Sequence, residues 1–100
     1  MIVLSGSIAF DPATTDTALD ASHALETATR AEPGCISYGI WASPNAPGTL
    51  FFFEEWEGEE ALNSHMGSDH MATFLGAAAG FGITGTDIWR YDVTTKTKFM

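Results

Sequence analysis

The eight residues from Thr49 to Trp56, TLFFFEEW, restrict the fold more than any other part of this 100-residue chain. The run is short, aromatic and bounded by turn residues, which predicts a β-strand and not a helix. Successive side chains of a strand point to opposite faces, so Phe52, Glu54 and Trp56 share one face and the intervening residues share the other. Both faces of this strand therefore carry aromatic rings that need apolar cover.

Strand and helix periodicities alternate along the rest of the chain, which forms a single domain over residues 1–100. The second helical region divides in two, because Ser68 is placed to cap a new helix. The order β-α-β-β-α-β predicts an α+β, ferredoxin-like fold, with a four-stranded antiparallel sheet and helices on one face. The predicted strands are 2–10, 35–42, 49–56 and 84–94, and the predicted helices are 15–31, 59–66 and a third through Met71 and Ala78.

The second face of such a sheet has no helix to cover it. An exposed apolar sheet face is rare in a monomer, because it remains in contact with water. Pairing two sheets face to face would cover both, so the topology predicts a homodimer.

The charge of the chain limits its partners. Thirteen acidic residues against four basic ones give a formal charge of −9, which disfavours nucleic acid and anionic membranes. Cys35 is the only cysteine, so no intrachain disulfide is expected. The first ten residues lack a charged segment and a long apolar run, and we expect a cytoplasmic protein.

The best candidates for chemistry are His65 and His70, which flank a predicted joint between two helices. Neutral histidine moves protons near pH 7, although a helix cap or a surface position is the common structural alternative. Glu54, beside Trp56, is a candidate general base with a raised pKa, whereas Glu55 is expected to meet water at the strand end. A metal site with Asp69 or Glu54 as a third ligand lacks a recognisable motif, so no metal is predicted.

Other residues are candidates for lining an apolar pocket. Phe52 shares a strand face with Trp56, and Met71 and Phe74 lie on the apolar stripe of the last helix. Tyr38 fits either a pocket or the core. Arg90, if it faces inward, requires an acidic partner. A cleft of this kind suits a flat, mostly apolar ligand with a few polar groups.

Three stretches together, TRAEPGCISYGIW, a P..PG turn and LFFFEEWEGEEALNSHMGSDHMATF, resemble the antibiotic biosynthesis monooxygenase family. The resemblance extends over residues 1–94 and is densest from Thr29 to Phe74. It implies a dimeric α/β barrel, in agreement with the fold predicted from the periodicities.

The resemblance also implies an activity. Several members of this family are cofactor-independent oxygenases, in which the pocket deprotonates a quinol or polycyclic aromatic and the anion reacts directly with O₂. Such a pocket needs a base, donors for the oxyanion and a dry enclosure. His65, Tyr38 and the aromatic wall around Trp56 suit these roles, in which case replacing His65 with alanine abolishes turnover.

Two alternatives stay open at this stage. One is an isomerase that uses the same histidines on a small polar ketone, and the other is a dimeric ligand-binding protein without catalysis. Haem degradation is disfavoured, because haem-degrading relatives place a histidine near the position of Leu75 here. If His65 packs in the core away from any cavity, both enzymatic interpretations lose support.

Overall fold

The computed structural model describes all residues from 1 to 100 and confirms the predicted order of elements. The strand and helix ends fall within two residues of the predicted positions. The strands are β1 (Ile2–Ala9), β2 (Cys35–Ala42), β3 (Thr49–Trp56) and β4 (Gly85–Asp92), and the helices are α1 (Thr15–Arg30), α2 (Glu59–Met66) and α3 (Asp69–Ala78). No helix combines the length and the apolar composition needed to cross a bilayer.

The four strands form one antiparallel sheet in the order β2-β3-β1-β4. The phenylalanine-rich β3 is therefore central, which explains why both of its faces are apolar. Trp56 lies opposite Ile2 on β1, and Glu54 lies opposite Tyr38 on β2. These residues share the face that the helices cover, so the strand periodicity correctly placed Phe52, Glu54 and Trp56 together.

Helix α1 packs on the sheet mainly through small side chains. The buried positions include Ser22 and Thr29 alongside Ala18 and Leu25. The Ser22 hydroxyl donates to the carbonyl oxygen of Ala18 at 2.7 Å, within its own helix. A buried hydroxyl costs little when its hydrogen bond is made locally, as at Ser22, whereas the buried Thr29 hydroxyl has no hydrogen-bond partner.

Strand β4 lies at the sheet edge, and all eight of its residues are exposed. Arg90 has the parity of the helix-covered face, since it pairs with Leu4. The helices nevertheless do not extend over it, and its side chain is 41% exposed. The acidic partners expected for Arg90 are present, because its guanidinium binds Glu59 at 2.7 Å and Asp92 at 2.9 Å.

The opposite side of the sheet, which we call the open face, has no helix on it. By register, its strands present five large aromatic side chains to this side: Trp41, Phe51, Phe53, Trp89 and Tyr91. Each of the five is between 39% and 63% exposed. The structure thus contains the uncovered apolar sheet face that the topology predicts.

Gly6, in the middle of β1, is required by the close approach of β4. Its φ is +156°, and a Cβ there would lie within 3 Å of backbone atoms of Asp87 and Ile88. We expect Gly6→Ala to push β4 from the sheet and lower the unfolding free energy by several kcal/mol, as overpacking and backbone strain combine. Urea unfolding measures this loss.

The matched control is Gly76→Ala in α3. A Cβ at Gly76 meets no atom within 4 Å, and alanine favours a helix over glycine by about 1 kcal/mol. We expect this variant to be slightly more stable than the native chain. Equal stability of the two alanine variants would contradict the role assigned to Gly6.

Candidate functional site

Three aromatic rings meet between the sheet and α2. Trp56, at the end of β3, is fully buried, and the ring of His65 lies over it with centroids 4.7 Å apart. Tyr38 on β2 completes the group at 5.5 Å from His65 and 6.4 Å from Trp56. Strand alternation places Tyr38 and Trp56 on the same face, and the last turn of α2 brings His65 onto them. The three rings form one aromatic group, in which His65 and Trp56 are almost fully buried.

Glu54 belongs to this group through the tryptophan. Its carboxylate accepts a hydrogen bond from Trp56 Nε1 at 3.0 Å and is 6% exposed. Burial raises the pKa of Glu54 to about 7, the nearby charge of Glu32 adds to the increase, and the Trp56 hydrogen bond opposes it. A carboxyl group with this pKa is only partly ionised near neutral pH, and the increase has the direction expected for a glutamate beside Trp56.

The raised pKa of Glu54 predicts a specific pH dependence of stability. Between pH 4.5 and about 7 the native carboxyl keeps a proton that the unfolded chain has released. The contribution of Glu54 to the free energy of unfolding is therefore fully present below pH 4.5. It falls as pH rises to 7, by about 3 kcal/mol in total. Glu54→Gln keeps the shape and removes this slope, so urea unfolding at several pH values should show the two proteins diverging. Parallel pH profiles would contradict a protonated Glu54.

A second carboxylate, from Glu32, holds His65. Glu32 follows α1, and its Oε2 lies 2.8 Å from His65 Nδ1. With a neutral imidazole, Nδ1–H donates to this oxygen, which fixes the tautomer and the ring orientation. Burial lowers the pKa of His65, and the hydrogen bond and charge of Glu32 oppose that change. The pair is thus a buried, oriented imidazole with a carboxylate behind it.

His70, in the first turn of α3, lies on the other side of the same carboxylate. Its Nε2 is 3.4 Å from Glu32 Oε1, and its ring centroid is 5.9 Å from that of His65. The Nε2 atom is buried and has no hydrogen-bond partner, because the approach to Glu32 lacks hydrogen-bond geometry. One ligand atom from each of Glu32, His65 and His70 lies within 4.8 Å of the others. We call these three residues the Glu32 cluster.

His70 also lines a cavity between α1 and α3. The cavity measures about 150 Å³ and is mainly apolar. Its walls include Leu25 from α1 and Phe74 from α3, and His70 is the only titratable residue on them. The sequence left open which histidine faces a cleft, and in the structure His70 does.

His65 itself is not accessible. Its side chain is 1% exposed, and none of the four principal cavities reaches it. By the criterion stated for the sequence, this placement counts against both the oxygenase and the isomerase in which His65 contacts the substrate. A catalytic contribution from His65 must therefore pass through its neighbours in the Glu32 cluster.

The remaining sequence candidates are distributed over the molecule. Phe52 is 5% exposed and lies in the core opposite Ile40. Met71 is half-buried and packs against the core, whereas Phe74 lines the α1–α3 cavity, with its ring 5.9 Å from that of Phe81. Arg90, on the exposed edge strand, is not part of the Glu32 cluster or of this cavity.

Glu32 is the site residue that sequence reasoning missed. The EPG segment was interpreted only as the end of a helix. One local signal was available, since a carboxylate just beyond a helix C-terminus is opposed by the helix dipole and needs another partner. The expectation for Glu55 was also wrong: it is 8% exposed, and Ser37 and Lys96 bind it at 2.6 and 3.0 Å. The Ser37 hydrogen bond holds the pKa of Glu55 below its usual value.

The fold and the cluster together define a small α+β domain with a carboxylate–imidazole site between sheet and helices. A family model described as antibiotic biosynthesis monooxygenase matches residues 1–77. The chain belongs to this family, as the sequence resemblance indicated.

Individual relatives agree with this membership. The chain is 30% identical over 74 residues to the uncharacterized protein sll1783 of Synechocystis, and 41% identical over 51 residues to "Putative monooxygenase Rv0793" of Mycobacterium tuberculosis. These matches cover 74% and 51% of this chain, and half of each relative's length. A conserved protein from Methanosarcina mazei Go1 has a TM-score of 0.82 at 27% identity, covering 90% of this chain and 89% of that one.

Proposed function

We propose that this protein is a monooxygenase that oxidises a quinol with a single aromatic ring, which it binds in the cavity between α1 and α3. Membership of the antibiotic biosynthesis monooxygenase family supports the reaction class. The reaction needs no bound cofactor in this proposal, because a deprotonated quinol is itself the electron donor to O₂. One oxygen atom enters the ring, the other leaves as water, and the product is the hydroxyquinone.

The observation that carries the proposal is the cavity beside His70. An apolar cavity of about 150 Å³ accepts a benzene-sized ring, and the cavity beside His70 has this volume. A two-ring or polycyclic substrate exceeds this volume, and part of it would lie outside the cavity. Leu25 and Phe74 supply apolar walls, and His70 supplies the single group that can take a phenolic proton.

The Glu32 cluster supports proton acceptance by His70. Glu32 faces Nε2 of His70, which leaves Nδ1 to accept the proton from the quinol hydroxyl. The resulting imidazolium is stabilised by the carboxylate, and His65 holds that carboxylate from its far side at 2.8 Å. This is the arrangement of a base oriented by a third group, and such contacts shorten when substrate binds.

The aromatic residues around His65 have supporting roles in this proposal. Trp56 and Tyr38 pack on the His65 ring, and Glu54 holds the Trp56 indole. Together they keep water away from the His65 ring, which is 1% exposed, and this strengthens its interaction with Glu32. These residues do not line the α1–α3 cavity and therefore do not touch the substrate.

Oxygen uptake with a panel of reduced quinols tests the proposal. We expect one-ring quinols to be consumed faster than their spontaneous oxidation in buffer, and two-ring quinols more slowly than one-ring quinols. Uptake equal to the protein-free rate for every quinol would overturn the proposed activity. Faster consumption of the two-ring compounds would overturn the assignment of the cavity.

The open face supports the proposal of a homodimer. Five aromatic side chains are exposed together on it, including Trp41, Phe53 and Trp89. A second copy of the chain is the natural partner, because a two-fold pairing covers the same apolar surface on both subunits at once.

The burial of His65 favours one other candidate, a dimeric protein that binds a small aromatic ligand without reacting with it. Under this alternative His65 is a structural core residue paired with Glu32. Ligand binding without any oxygen uptake above the spontaneous rate would support it over the oxygenase.

A further inference from the structure

We infer that Glu32, His65 and His70 form a binding site for a divalent first-row transition metal ion, for which Zn²⁺ is a suitable probe. Two imidazoles and one carboxylate are a ligand set that zinc and related ions accept, with remaining positions open to water. The spacing of these three residues along the chain matches no known metal-binding motif, which is why the sequence predicted no metal.

The distances within the Glu32 cluster fit a common ion. Ligand atoms about 2.0–2.2 Å from a metal are about 3 to 3.4 Å apart at octahedral or tetrahedral angles. Glu32 oxygens lie 2.8 Å from His65 Nδ1 and 3.4 Å from His70 Nε2. The third separation, within 4.8 Å, would have to shorten on metal binding by a turn of the His70 ring. His70 is 26% exposed, so its ring has room to move.

The unpaired nitrogen of His70 is an independent indication. Buried polar atoms nearly always have a hydrogen-bond partner, so an exception calls for an explanation. His70 Nε2 is one of two buried side-chain polar atoms without a partner, and it faces a carboxylate that already binds another imidazole. A metal ion between them would use this nitrogen.

Electrostatics also favour a cation at this position. Glu32 contributes the only carboxylate of the ligand set, and it is 15% exposed. The whole chain carries a formal charge of −9, which attracts cations and raises their local concentration. Two neutral imidazoles and one carboxylate leave a bound divalent ion with a net positive charge, which the negative charge of the chain stabilises.

Metal binding and the proposed oxygenase reaction would compete. An ion on His70 Nε2 leaves the proton on Nδ1, so the imidazole loses the lone pair that accepts the quinol proton. Zn²⁺ would thus inhibit oxygen uptake, and a chelator would restore it. This consequence rests on the proposed function, whereas the binding site itself does not.

Titration calorimetry with ZnCl₂ on the chelator-treated full chain tests the site. We expect one Zn²⁺ per chain in the native protein, and at least tenfold weaker binding in His70→Ala, since loss of even an outer-shell partner of a metal ligand costs 10- to 100-fold. Glu32→Gln should weaken binding to a similar degree. Far-UV circular dichroism and cooperative thermal unfolding verify that each variant is folded.

The matched control is His23→Ala, which removes an exposed histidine from α1. It should bind Zn²⁺ like the native chain, which excludes loose binding by surface histidines. No zinc binding by the native protein would overturn the inference, and so would unchanged binding in both folded His70→Ala and Glu32→Gln. Because no substrate is present, this result is separate from the success or failure of the proposed oxygenase.

Discussion

Replacing His70 with alanine is expected to lower quinol-dependent oxygen uptake by about 10²–10⁴-fold, the usual contribution of a positioned general base. His70 is the only titratable side chain on the α1–α3 cavity. The variant keeps the apolar walls, so the quinol should still bind, and the loss should appear mainly in kcat. The measurement is the steady-state rate in an oxygen electrode over a range of quinol concentrations.

The control for His70→Ala is His23→Ala, which should retain full activity because His23 is exposed on α1. Glu32→Gln provides a second comparison. Glu32 holds His65 by a hydrogen bond and lies 3.4 Å from His70 Nε2 but does not line the cavity, so we expect kcat to fall by about 10–100-fold with little change in KM. Full activity of folded His70→Ala would exclude it as the proton acceptor.

Replacing Trp89 with aspartate on the open face is expected to convert the proposed homodimer into monomers. Trp89 is 63% exposed in the single chain, and aromatic residues at the centre of an interface contribute 2 kcal/mol or more. A two-fold interface loses the residue twice, so the dissociation constant should rise by about 10³-fold or more. Sedimentation velocity over a range of protein concentrations measures the change.

Leu75→Asp is the matched control, because it places the same charge on an apolar residue that is 54% exposed on α3. This variant should remain a dimer. If both aspartate variants behave as the native chain does, the open face is not the dimer interface. If only Leu75→Asp dissociates, the subunits meet through their helices.

The fold could be predicted from the sequence because it depends on local periodicity. The alternation in β3 placed Glu54 and Trp56 on one face, and the Ser68 cap marked the start of α3, where its hydroxyl accepts from Met71 N at 3.2 Å. Burial was harder to predict. Arg90 has the inward parity, yet β4 lies beyond the helices, so parity alone did not imply a place in the site.

The arrangement of the site depended on contacts that local patterns do not encode. Glu32 and His65 are 33 residues apart and meet only because the turn after α1 lies beside the last turn of α2. The choice between His65 and His70 depended on how the chain turns at Gly67, between the two helices. Glu55 is buried because Lys96, from the segment after β4, reaches its carboxylate.

A crystal soaked with a reduced one-ring quinol under anaerobic conditions tests the central claim most directly, since the substrate cannot react without oxygen. We expect the ring between Leu25 and Phe74, with one hydroxyl within hydrogen-bonding distance of His70 Nδ1 and Glu32 still between the two histidines. A quinol bound elsewhere, for example against Trp41 and Phe53 on the open face, with the α1–α3 cavity free of it, would contradict the proposed substrate site.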